Sequence, residues 1–318
     1  MKKDKNLKII YRLLGCLIFL ALVIFGVIRL QYVTRDKENA RMWDNFKALD
    51  KKSVSVFFVG NSHSFCSINP DLLYEEYGLD SFMLSSSGQT LAMDYYAIEE
   101  AIRYQCPETI YLEMSYAIHD WNTISDEMSH MFFDGMPLNK IKVAAVRELI
   151  DEDNRIYFYI PLGQFHSRWT YLTADDYADD RTSPRGRYYS EHTEGNWQIE
   201  VCSVTYKEEI PENAVYYMDL IAELCEKNDI KLILYTVPYN SLWPSEESQA
   251  TLTNSQGIYN SLYDYATEKG LEYYNLFNEV DEIGLDYSSD FLDSQHFNCY
   301  GQDKFTRYMA DKGYIKVQ

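Results

Sequence analysis

Three residues in this chain are of the types that acyl chemistry needs. Ser62 stands in "FFVGNSHSF" (57–65), two residues after an apolar run ends at Gly60, and Asp293 and His296 stand in "DFLDSQHFNCYG" (290–301). A serine hydroxyl is a weak nucleophile until a general base within hydrogen-bond reach takes its proton. Histidine does this near neutral pH, and a carboxylate on its second ring nitrogen fixes the tautomer. At the spacing of Asp293 and His296, a single turn of chain can aim the carboxylate at one nitrogen and leave the other free as base. Each piece alone also has an ordinary reading. Gly-Asn-Ser after a strand is common in inert turns, and an Asp near a His is expected in a chain this acidic. Asp290 is placed to serve as well as Asp293.

The elements around these residues follow from hydrophobic spacing. Apolar runs of strand length occur at 54–60, 81–86, 109–115, 230–238 and 271–277. Between them, 68–78, 91–105, 213–229 and 253–270 carry apolar residues at i, i+3 and i+4. Pro70 and Pro211 lie near helix starts, and Asn228 and Gly270 where helix ends are expected. Short, near-continuous apolar strands separated by amphipathic helices predict a three-layer α/β/α fold, flavodoxin-like, with about five parallel strands. Ser62 then projects from the carboxyl edge of the sheet, where open α/β folds bind ligands. The alternation breaks over about 116–207, and an insertion there is expected to cap the site.

The N-terminus places Lys2, Lys3, Lys5 and Lys8 before an uncharged, mostly apolar run from Leu13 to Ile28. With Ile9, Ile10, Tyr11 and Leu30 it reaches the roughly 20 residues of a membrane span. The expected layout is a cytoplasmic tail (1–8), a transmembrane helix (9–30), a polar juxtamembrane linker (31–52) and one extracytoplasmic domain (53–318). A cleaved signal peptide is the competing reading, but no A-x-A-like site follows the run. The net charge of −20 leaves the domain without the basic face that nucleic acid requires. Cys66, Cys106, Cys202, Cys225 and Cys299 form no C-x-x-C pair, so no cysteine metal site is expected.

Taken together, Ser62 after the first strand and Asp293-x-x-His296 near the C-terminus resemble the SGNH/GDSL hydrolase superfamily, over roughly residues 54–315. The resemblance implies a Ser62, Asp293, His296 triad. It also implies an oxyanion hole from the backbone N–H groups of Ser62 and Gly88, with Gln89 standing in for a missing Asn. "GNS" replaces Gly-Asp-Ser, and the third block, Gly-x-Asn-Asp, is absent; the third strand ends "LEMSY". An N-terminal membrane helix without that block looks like the DltD and AlgJ/AlgX-like branches, which act on cell-envelope polymers. The α/β-hydrolase fold is the rival, but its nucleophile elbow needs Gly where Ser64 stands.

The expectation is a membrane-anchored extracytoplasmic serine esterase or O-acyltransferase. Its partner would be a cell-surface polysaccharide or teichoic-acid-like polymer, with a possible membrane acyl-transfer partner and no cofactor. The alternative is an inactive surface scaffold that keeps the fold. His166, Arg168 and Trp169 in "FHSRW" are candidates to line the acceptor groove, by stacking on a sugar and pairing with an anionic group. Aromatic packing under the insertion is the equal alternative. His63 is expected to be a turn residue, His119, His130 and His192 surface or packing residues, and Asn298 an organiser of its loop. Cys66 and Cys299 each follow a triad residue closely, which admits a disulfide between them.

Overall fold

The structure, a computed structural model, describes residues 2–35, 37–177, 183–194, 203–240 and 246–317. Cys202 lies outside the described residues. All five expected strands form: β1 (Val56–Gly60), β2 (Ser81–Ser85), β3 (Thr109–Glu113), β4 (Lys231–Thr236) and β5 (Glu272–Asn275). They pair in parallel in the order β2-β1-β3-β4-β5. Because side chains alternate along a strand, Phe57 and Val59 enter one apolar cluster while Val56 and Phe58 enter another. Burial on both faces is why these strands read as unbroken apolar runs.

Helices cover both faces. α1 (Lys2–Thr34), α2 (Lys37–Ala48), α3 (Ser62–Ser67), α4 (Pro70–Tyr77) and α5 (Leu91–Ala101) precede β3. α6 (Asp126–Phe133), α7 (Lys140–Leu149), α8 (Arg155–Tyr159), α9 (Leu162–Phe165) and α10 (Glu212–Lys227) lie between β3 and β4. α11 (Glu246–Lys269) leads to β5, and α12 (Val280–Ile283) and α13 (Cys299–Asp311) follow it. α2, α5, α7, α10 and α11 supply the first cluster, and α4, α12 and α13 the second. The sheet order reverses between β1 and β3, and such a switch point leaves a crevice at the carboxyl ends of the strands.

Two expected boundaries change. Residues 8–34 form a helix long and apolar enough to span a membrane, and α1 runs unbroken through the expected tail, span and start of the linker. The rest of that linker is not loose. Met42, Trp43 and Phe46 fall on one side of α2 and enter the core, and Trp43 Nε1 donates to the Phe132 carbonyl at 2.7 Å. The insertion also divides. α6 to α8 pack Phe132, Phe133 and Phe158 into the core beside α5, while Met128 and Met131 of α6 lie at the turn after β2. Residues 183–194 run past the edge of β2, where Met83 N donates to Arg185 O, and on to the C-terminal loop, where Glu194 N donates to Leu292 O.

Candidate active site

Ser62 is the first residue of α3, an additional short helix that begins directly after β1, ahead of the expected helix that starts at Pro70. Asn61 makes this possible. Its side chain accepts from His63 N at 2.8 Å, the N-cap bond that satisfies a first-turn amide. Gly60 lets the chain turn so tightly. Its φ is +146°, and a Cβ there would lie 2.9 Å from Glu113 Cβ and 3.2 Å from Ser64 Cβ. Ser62 therefore sits at the carboxyl end of β1, beside the switch point, with its own N–H among those that a helix start leaves without an intrahelical acceptor.

His296 reaches this serine from the far end of the chain. Its Nε2 lies 2.7 Å from Ser62 Oγ, and its Nδ1 lies 3.0 and 2.9 Å from the two oxygens of Asp293. Asp293 Oδ1 also accepts the backbone N–H of Gln295 at 2.7 Å and of His296 at 2.9 Å. Burial pushes the Asp293 carboxyl up, but the bonds from His296 and these two amides outweigh it and hold it below the ordinary range. The carboxylate is thus charged and aimed at Nδ1, so Nδ1 carries the ring proton and Nε2 is the acceptor facing Ser62 Oγ. Asp290 does not compete. It is buried, and its carboxylate accepts from Lys304 Nζ, Asp286 N and Ser289 Oγ. Asn298 orders the loop by capping α13 and donating to Ser289 O and Thr193 Oγ1.

Beneath Ser62 lies a polar network that sequence reasoning missed. Asn61 Nδ2 donates to Ser115 Oγ at 2.9 Å, and Ser115 gives its N–H and its hydroxyl to Glu113 at 2.9 and 2.6 Å. Burial pushes the Glu113 carboxyl up to about 8, against the opposing pull of the Ser115 and Met114 bonds. The signal was a lone charge inside the apolar run "TIYLEMS". His63 was also underrated. It is buried, its ring lies 4.8 Å from that of Tyr239 and 5.2 Å from that of His296, and Nδ1 has no hydrogen-bond partner among the described residues. Burial, and then the nearby His296, lower its pKa to about 3. His63 is therefore a neutral wall behind His296.

Several expected roles do not match the geometry. Gln89 is fully buried. Its Nε2 donates to Leu84 O and to Asp94 Oδ1, and its Oε1 accepts from Ser86 Oγ, so it has no donor left for an oxyanion. Asp94 explains why: a buried carboxyl, pushed well above its ordinary range by burial, takes the nearest amide. Gly88 occupies the turn after β2 with φ +66°, covered by Met128 and Ile124; Ser87 is the partly exposed residue of that turn. The His166–Trp169 segment packs against the end of α1. Arg168 donates to Thr34 O, Arg35 O and Asp176, and His166 Nδ1 lies 2.9 Å from Gly163 O, so both polar groups are engaged away from Ser62. Trp169 is exposed. Cys66 and Cys299 are both free thiols, so the disulfide does not form. Among the described residues, no group of three or more His, Cys, Asp or Glu side chains could hold a metal ion.

No family model matches this sequence, and no curated protein matches it. Solved structures do. One is a Bacteroides fragilis protein proposed as an acylhydrolase, with TM-score 0.45 and 12% identity, covering 89% of this chain and 100% of its own. Another is a GDSL-like lipase from Bacteroides thetaiotaomicron, with TM-score 0.42 and 14% identity, covering 86% of this chain and 96% of its own.

Proposed function

We propose that the chain is a membrane-anchored serine esterase or O-acyltransferase of the SGNH type, acting on ester-linked acyl groups of a cell-envelope polymer. One observation carries the chemistry: Ser62 Oγ sits 2.7 Å from an imidazole nitrogen whose opposite nitrogen is held by a charged Asp293. In this reading His296 Nε2 takes the Ser62 proton as Oγ attacks an ester carbonyl. Collapse of the tetrahedral intermediate expels the alcohol, which leaves with that proton, and the acyl group stays on Ser62. A sugar hydroxyl or water then attacks the acyl-enzyme, gives its proton to His296 and frees Ser62 as the proton returns to Oγ. The backbone N–H of Ser62, at the start of α3, would bind the oxyanion.

The anchor and the compartment rest on α1 and on the lysines that precede its apolar stretch, which favour an extracytoplasmic domain. Polymer, acyl donor and acyl-transfer partner follow from the resemblance alone. The test uses the full-length protein in detergent micelles with a fluorophosphonate probe and an aryl ester. Wild type should be labelled at Ser62, and Ser62→Ala should lose labelling and about 10⁴-fold or more in kcat/KM. Equal labelling of both proteins would remove Ser62 as nucleophile. An unlabelled, folded wild type would instead favour the inactive scaffold.

A further inference from the structure

A cleft of about 160 Å³ lies where β1 and β2 end, walled by Met42 of α2, Met83 of β2, Met131 of α6, and by Phe65 and Tyr188. We propose that this cleft is the acyl pocket of the Ser62 centre and that it takes an acyl chain of about four to six carbons. The assignment rests on the reading of Ser62 as nucleophile and specifies which substrates that site accepts.

Three observations lead there. Phe65 follows Ser62 by three residues on α3, so the two side chains share a helix face. Its ring packs on Tyr188 with centroids 5.3 Å apart, closing one side of the cleft. Ser85 pairs in register with Gly60, two residues before Ser62, and Ser85, Ser86 and Ser87 line the same cleft. The cleft and the nucleophile therefore belong to one edge of the sheet. The wall is apolar over most of its area, with Arg41, Asn45 and Arg187 also lining it. Three thioethers and two aromatic rings present pliable apolar surface, which suits an alkyl chain.

Size sets the length. An apolar cavity of about 150 Å³ holds a guest of six carbons such as benzene. Acetyl would leave most of the cleft empty, and a long fatty chain would overrun it. The polymer alcohol must then approach from outside this wall. α2, which comes directly after the apolar helix, supplies Met42, so acyl selectivity is built partly from the segment that was expected to be a tether.

The test measures kcat/KM of the full-length protein in micelles for 4-nitrophenyl acetate, butanoate, hexanoate and decanoate. The wild type should favour hexanoate over acetate by about tenfold or more and lose rate at decanoate. Met131→Trp, which fills the cleft, should cut the hexanoate-to-acetate ratio at least about tenfold, and Met131→Ala should move the optimum to longer chains. A ratio taken within one variant cancels any loss of folded protein. If both variants keep the wild-type ratios while hydrolysis still depends on Ser62, the pocket assignment fails by itself. If Ser62→Ala cleaves every ester as fast as wild type, the nucleophile reading fails and the pocket falls with it.

Discussion

Two His–Asp pairs occur among the described residues, and they differ in what lies beyond the imidazole. His296 and Asp293 meet at 2.9 Å, partly exposed, with a serine hydroxyl on the far nitrogen. His130 and Asp134 meet at 2.7 Å across the C-terminal turn of α6, Asp134 being its C-cap, but both side chains are buried. The His130 ring stacks on Phe158 at 4.1 Å and meets Phe165 edge-on at 5.8 Å, so aromatic rings sit where a substrate would need to be. A second buried group, Lys142, is spent on the carbonyls of Phe133 and Met136 beside them. A carboxylate orienting a histidine is thus a structural device as readily as a chemical one. Access and a nucleophile at the second nitrogen distinguish the two.

The largest expected effect is at Asp293. Asp293→Asn leaves the shape but removes the charge and the tautomer control, and should lower kcat/KM for an aryl ester by about 10³- to 10⁴-fold. A loss below tenfold would make the first pair no more chemical than the second. Next comes His63. The unfolded chain protonates it near pH 6.5 and the folded chain only near pH 3. Between those values the unfolded state binds more protons, so stability falls as the solution is acidified, by up to about 5 kcal/mol at pH 3. Above pH 6.5 this contribution vanishes. His63→Phe should flatten that acid limb in urea unfolding, whereas an unchanged slope would mean that His63 is protonated freely in the fold.

Smaller effects belong to the sealed pair. Asp134→Asn should cost about 1–3 kcal/mol of stability by thermal unfolding while ester turnover stays within about twofold, because the pair touches no substrate. A large loss of turnover without unfolding would blur the distinction between the pairs. Smallest of all, Arg168→Ala should leave hydrolysis of a soluble aryl ester unchanged within about twofold, since its guanidinium holds the end of α1 and Asp176. A strong effect on that substrate would return the segment to the site.

The sheet and the convergence of Ser62, Asp293 and His296 were readable because both depend on residue types at strand ends and on local spacing. What the chain hid was decided by burial. Gln89 looked like a free amide donor, but Asp94, itself unreadable as buried, draws it inward. Trp43 and Phe46 at i, i+3 spacing signalled that α2 packs, yet the surrounding charges masked the stripe. α3 escaped notice because six residues are too few to show a period, leaving Asn61 as its one sign. Arg168 could not be placed from sequence, because Thr34 and Arg35, whose carbonyls it holds, lie more than 130 positions away.

One consequence of the join between α1 and α2 concerns reach. A flexible leash of about 20 residues would let a domain roam roughly 25 Å from its anchor. Here only residues 35 and 36 separate the two helices, Arg168 holds the carbonyls at the end of the first, and Trp43 fixes the second in the core. With α1 in a bilayer, as proposed, the Ser62 crevice would ride at nearly constant height above the lipid. Encounter would then be a lateral search across a surface, which selects acceptors tethered at matching height and leaves freely diffusing polymer poorly served.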